Sequence, residues 1–161
     1  MPSTVVIGVG NPLVSDDGVG PRVARCVAEE AAARGEAVDV RELFVGGMAL
    51  MEALIGYRRA IVVDATVSGR PAGTVRKLAP EDLTESWNST CAHDTTLTTA
   101  LALGRELRLP LPEAIEIWGI EAADLTTFGE RMTDAVERAV PVAVARIVAS
   151  LATAGERGGP R

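Results

Sequence analysis

This 161-residue sequence is poor in the residue types that most often carry recognisable chemistry. It has one histidine, His93, one lysine, Lys77, and two cysteines, Cys26 and Cys91, and aromatic residues make up 3% of it. Each shortage excludes something. Two cysteines build no disulfide framework and cannot supply a four-cysteine zinc site. Cys26 falls inside an expected helix and reads as a small buried hydrophobe, while Cys91 reads as a bystander near His93. A net charge of −6 with a single lysine argues against a nucleic-acid or anionic-membrane partner, either of which calls for a basic face. No apolar run is long enough to span a bilayer. No charged segment precedes an apolar stretch at the N-terminus, so no signal peptide is expected and the cytoplasm is the expected location. A G-x-S-x-G nucleophile elbow is also missing.

What is present is an alternation of apolar runs with helix-like stretches. Thr4–Gly8, Val38–Val45, Ala60–Asp64 and Ala114–Ile120 read as strands, and Thr74–Leu78 as an added one. Thr4–Gly8 and Ala60–Asp64 do not alternate polar with apolar residues, so both faces are expected to be buried. Pro21–Ala33, Met48–Tyr57, Asp94–Leu107 and Thr133–Leu151 read as helices, the last containing Pro141. Residues 79–90 look irregular. The pattern predicts an α/β fold with a mostly parallel sheet covered on both sides. One domain is expected over residues 1–154, with a loose Gly- and Arg-rich tail at 155–161.

Candidate chemistry gathers where strands end. Gly8-Val9-Gly10 follows the first strand, but position 13 is Leu, not the third glycine of a dinucleotide fingerprint. The glycines are therefore expected to permit a tight turn and a close backbone approach. Asp16 and Asp17 come next. For Asp16 a helix-start role is favoured, since an acid there caps and complements the helix dipole; for Asp17 structure and function are evenly matched. Asp64 closes Ile61-Val62-Val63 at the carboxyl end of a buried strand, where a carboxylate is costly unless it is hydrogen-bonded or meets a cation. His93 directly precedes an expected helix start. Two carboxylates and an imidazole suit a borderline divalent metal and leave coordination positions open. A receiver domain of two-component signalling shares the acids after the first and third strands. It places its acidic pair directly on the strand end and needs a lysine after the fifth strand, whereas Lys77 precedes the Ala114–Ile120 run.

Gly8-Val9-Gly10-Asn11, Asp16-Asp17-Gly18-Val19-Gly20, Val62-Val63-Asp64-Ala65 and His93, in this order and spacing, resemble the [NiFe]-hydrogenase maturation endopeptidases; Trp118-Gly119-Ile120-Glu121 is also similar to that family. The resemblance implies a three-layer αβα sandwich around a five-stranded sheet. It implies a hydrolase that removes the C-terminal peptide of a hydrogenase large-subunit precursor once nickel is inserted. Asp17, Asp64 and His93 then become the metal-contacting and catalytic residues. Nickel would be cargo of the substrate and not a permanent cofactor, because three ligands at an exposed site would hold a free ion only loosely. The family's Asp-Gly-Gly-Thr segment after the second strand is replaced by Val45-Gly46-Gly47-Met48, with Gly46 and Gly47 left as candidate walls of the substrate groove. That departure motivates a second hypothesis: a non-catalytic binding module of the same fold that captures a metal-loaded protein or peptide.

Overall fold

The computed structural model describes residues 3–88 and 96–155. The chain alternates strands β1 (Thr4–Val9), β2 (Asp39–Leu43), β3 (Arg59–Thr66), β4 (Val75–Lys77) and β5 (Ala114–Glu121) with helices α1 (Val19–Ala33), α2 (Gly47–Leu54), α3 (Leu97–Glu106) and α4 (Asp134–Gly155). Short 3-10 turns occupy Ser15–Gly18 and Pro80–Glu85. The strands form one sheet in the order β2-β1-β3-β5-β4, parallel except for β4, which runs antiparallel to β5. The expected mostly parallel, five-stranded αβα sandwich is the fold observed.

Period-two side-chain alternation divides the core into two layers. Val6, Ile61, Val63, Trp118 and Ile120 face α1 and α4, meeting Val19, Val23, Val27, Val136, Val140 and Ile147. Val5, Ile7, Val62 and Ile117 face the other way, onto Leu50 and Leu54 of α2 and Leu97 of α3. β1 and β3 are buried along nearly their whole length, which explains their unbroken Val/Ile character. The edge strand β2 carries Asp39, Arg41 and Glu42, and such charges discourage edge-to-edge pairing.

Of the boundaries that differ from the sequence expectation, three are the most informative. β3 continues past Asp64 through Ala65 and Thr66, because both pair with β5 and both are buried. α3 begins at Leu97 with Thr96 as its cap, the Thr96 Oγ1 accepting from the Thr99 N–H at 3.2 Å. α4 runs on to Gly155 with Pro141 inside it, leaving residues 156–161 of the expected tail outside the described residues. Among the described residues, no helix is long and apolar enough to cross a membrane.

The topology fixes where a ligand would sit. From β1 the chain crosses by α1 to β2 on one side, and from β2 it crosses by α2 to β3 on the other. β1 and β3 therefore flank a topological switch point, where open α/β sheets bind ligands at the carboxyl edge. α1 comes very close to that edge. A Cβ on Gly20 would lie 2.5 Å from the carbonyl oxygens of both Val9 and Val63, and one on Gly8 would lie 2.5 Å from the Gly20 carbonyl oxygen. The two glycines let helix and strands touch backbone to backbone.

Candidate active site at the switch point

Asp17 and Asp64 meet at this edge. Asp64 sits near the end of β3 with no solvent exposure, and Asp17 lies in the 3-10 turn after β1 at 6% exposure. The pair is therefore buried, not exposed as the sequence reading assumed. The turn that delivers Asp17 depends on Gly10, whose φ of +143° lies outside the comfortable range of other residues. A Cβ at Gly10 would fall 1.9 Å from the Asp17 carbonyl oxygen. The glycines of the opening motif thus serve the approach of an acid, consistent with the absence of a third fingerprint glycine.

One further residue joins the two acids. The Asn88 side-chain nitrogen donates to Asp17 Oδ1 at 2.6 Å and to Asp64 Oδ1 at 2.9 Å. The Asn88 backbone N–H donates to Asp64 Oδ2 at 2.8 Å, and the Asn11 backbone N–H to Asp17 Oδ2 at 3.1 Å. Asn88 arrives there because residues 85–87 run back along the end of β3. The Val67 N–H donates to the Glu85 carbonyl, Thr66 bridges Ser86, and the Trp87 N–H donates to the Ala65 carbonyl. The sequence reading missed Asn88; it stands in a stretch that looked irregular, and its one signal was lying five positions before the sole histidine.

Of the three expected ligands, the structure brings Asp17 and Asp64 together, while His93 lies outside the described residues, as does Cys91. Among the described residues, no three His, Cys, Asp or Glu side chains cluster as a metal site. The donor chemistry nonetheless fits a divalent ion: two carboxylates share one nitrogen between them, and an ion placed there would need further donors to complete its shell.

Asp16 behaves differently from the helix-start role expected of it. No side chain caps the 3-10 turn or α1. Instead the fully buried Asp16 carboxylate accepts from the backbone N–H groups of Ala123 (2.8 Å), Asp124 (2.9 Å) and Thr133 (2.7 Å) and from the Thr133 hydroxyl. It ties the loop between β5 and α4 to the site. Asp124 in that loop is held down to about 2 by the hydroxyl and N–H donors of Thr127 and Thr126. Glu121, 3% exposed at the end of β5, accepts from Ser68, Gly69 and Thr66 and fixes the loop after β3. Burial pushes its carboxyl up, but these donors win and hold it below the ordinary range.

The rim around the acids is apolar and exposed. Leu13, Phe44, Val45, Trp87 and Phe128 all stand on loops at the carboxyl edge with much of their surface open. The Leu13 and Phe128 loops are joined, the Gly129 N–H donating to the Leu13 carbonyl at 2.7 Å. Gly46 and Gly47, by contrast, are buried, Gly47 starting α2 at φ +60°. If this loop contributes a wall, Phe44 and Val45 are its exposed part.

A family model for hydrogenase maturation proteases of the HycI type matches residues 21–150. The chain is 30% identical over 148 residues to the hydrogenase 3 maturation protease of Escherichia coli K12, covering 89% of this chain and 87% of that protein. In structure it is similar to the hydrogenase maturating endopeptidase HybD from E. coli, with a TM-score of 0.74 at 25% identity over 96% of this chain and 94% of that one. It is also similar to the [NiFe] hydrogenase maturation protease HybD from Thermococcus kodakarensis, with a TM-score of 0.61 at 27% identity over 94% of this chain and 99% of that one.

Proposed function

The chain belongs to the hydrogenase maturation protease family, and from that premise we propose that its buried acidic pair reads the metal of a nickel-loaded hydrogenase large-subunit precursor before the C-terminal peptide is cut. The protein is a hydrolase, an endopeptidase of the maturation type. The finer reading assigns nickel to the substrate as cargo, with Asp17, Asp64 and His93 offering it further ligands. The observation that carries it is the convergence of Asp17 and Asp64 on one nitrogen from elements 47 positions apart in the chain. Two buried carboxylates side by side repel unless something with positive character lies between them. A dication satisfies that requirement more strongly than any neutral donor.

The site's chemistry follows from its charges. The carboxylates anchor metal-loaded substrate, and one of them takes the proton of an attacking water. The apolar rim of Leu13, Phe44, Trp87 and Phe128 supports docking of a polypeptide, since exposed clusters of this kind mark protein contacts. The same rim would serve a binding module, but a family of proteases favours cleavage. The proposed setting is the cytoplasm.

The test is incubation with a nickel-loaded large-subunit precursor and mass spectrometry of the precursor's C-terminus. Nickel-dependent shortening that is lost in Asp17→Ala, Asp64→Ala and His93→Ala is the expected result. Stable binding with no mass change would overturn the reading.

A further inference from the structure

We infer that Asn88 is a metal-mimicking placeholder: its carboxamide occupies the position between Asp17 and Asp64 and must be displaced before a divalent ion can bridge them. The inference rests on the metal-reading role proposed for the acidic pair. It concerns a residue outside the motifs that relate this chain to its family.

The geometry is specific to an amide. One nitrogen carries two hydrogens, and each is directed at a different carboxylate, Asp17 Oδ1 at 2.6 Å and Asp64 Oδ1 at 2.9 Å. The orientation of the amide is fixed by chemistry, because the opposite flip would point its carbonyl oxygen at two carboxylate oxygens. A hydroxyl has one hydrogen and could serve only one partner at a time. An ammonium would serve both and add a charge, and would then compete with any cation. Asparagine is therefore the neutral solution: it relieves the repulsion between the acids without neutralising their charge.

Removing the side chain leaves the acids where they are. Asp64 is fixed by β3, which pairs on both sides with β1 and β5, and it keeps the Asn88 backbone N–H at 2.8 Å. Asp17 is fixed by its 3-10 turn and keeps the Asn11 N–H at 3.1 Å. Loss of the amide thus strips two charge-assisted hydrogen bonds from the pair but not its placement. A metal entering the wild-type site breaks those bonds; a metal entering the variant does not. Metal–oxygen bonds of about 2.1 Å would also be shorter than these hydrogen bonds, so an ion and the amide could not share the position. The placeholder biases the site against stray ions and toward an ion delivered with its own ligand set.

The experiment is calorimetric titration of the full-length protein with Ni²⁺ alone, comparing wild type, Asn88→Ala and Asn88→Ser, each also in an Asp17→Ala background. Thermal melting confirms that each variant is folded. The expected result is a gain in Ni²⁺ affinity of about tenfold for both Asn88 variants, abolished by Asp17→Ala. A purely structural role for Asn88 would lower affinity or leave it unchanged, and either outcome in the folded variants overturns the inference. Absence of Asp17-dependent binding in every protein overturns it as well. The role of the acidic pair itself is read separately, by cleavage of the nickel-loaded precursor.

Discussion

Asp16 and Asp17 are neighbours in the chain and opposites in the structure. Both are buried. Asp16 accepts from three backbone N–H groups and a threonine hydroxyl, all drawn from a segment more than a hundred positions away. Asp17 accepts from one backbone N–H and from the side chain of Asn88, which it shares with Asp64. Backbone donors cannot leave without unfolding a loop, whereas a side-chain amide leaves by rotating. The comparison teaches that burial alone does not distinguish the two carboxylates; the kind of donor each holds does. Asp16 ties the loop between β5 and α4 into place, whereas Asp17 shares a side-chain donor with Asp64.

The sharpest way to break the comparison is to neutralise each acid in turn. Asp64→Asn and Asp17→Asn are expected to lower the rate of precursor cleavage by at least about 100-fold, with stability changed by no more than about 1 kcal/mol in thermal melts. Asp16→Ala is expected to reverse the emphasis. It leaves three partly buried N–H groups without their acceptor and should cost about 2 kcal/mol, or roughly 5 °C in melting temperature. If Asp16→Ala melts like wild type, the loop between β5 and α4 is held by something else.

Glu116 offers a second contrast, because it is a charged residue far from the site whose role is stability. Burial pushes its carboxyl up, but the Ser150 hydroxyl, the Arg59 guanidinium at 2.6 Å and Lys77 outweigh this and bring it from 4.5 to about 2. A carboxyl depressed in the folded state stabilises above its unfolded value and loses that contribution as pH falls through the folded one. Wild type should therefore exceed Glu116→Gln in stability by about 1 kcal/mol at neutral pH. That advantage should shrink between pH 4.5 and 2, as followed by melts across the range. The smallest effect is expected at the rim. Phe128→Ala, at a side chain 80% exposed, should raise KM for the precursor about threefold to tenfold and leave kcat and melting temperature nearly unchanged.

The layers of the fold were legible because Val/Ile runs in β1 and β3 can be buried only inside a sheet covered on both faces. Asp64 was legible for the same reason, as an acid ending such a run. The continuation of β3 through Ala65 and Thr66 was not, since small and hydroxylated residues carry little strand signal and owe their pairing to β5. The part played by Asp16 depends on Ala123, Asp124 and Thr133, partners that no local pattern announces. Asn88 was hidden by its setting in a stretch with neither helical nor strand periodicity, and only the return of that stretch along β3 brings it over the acids.

The central claim is that Asp17 is the reactive member of the opening pair. It is tested most directly by the mass of a nickel-loaded precursor after incubation with folded Asp17→Asn protein beside wild type. The account predicts a shortened precursor with wild type and an unchanged one with the variant at matched stability. Shortening at the wild-type rate by the variant would contradict it.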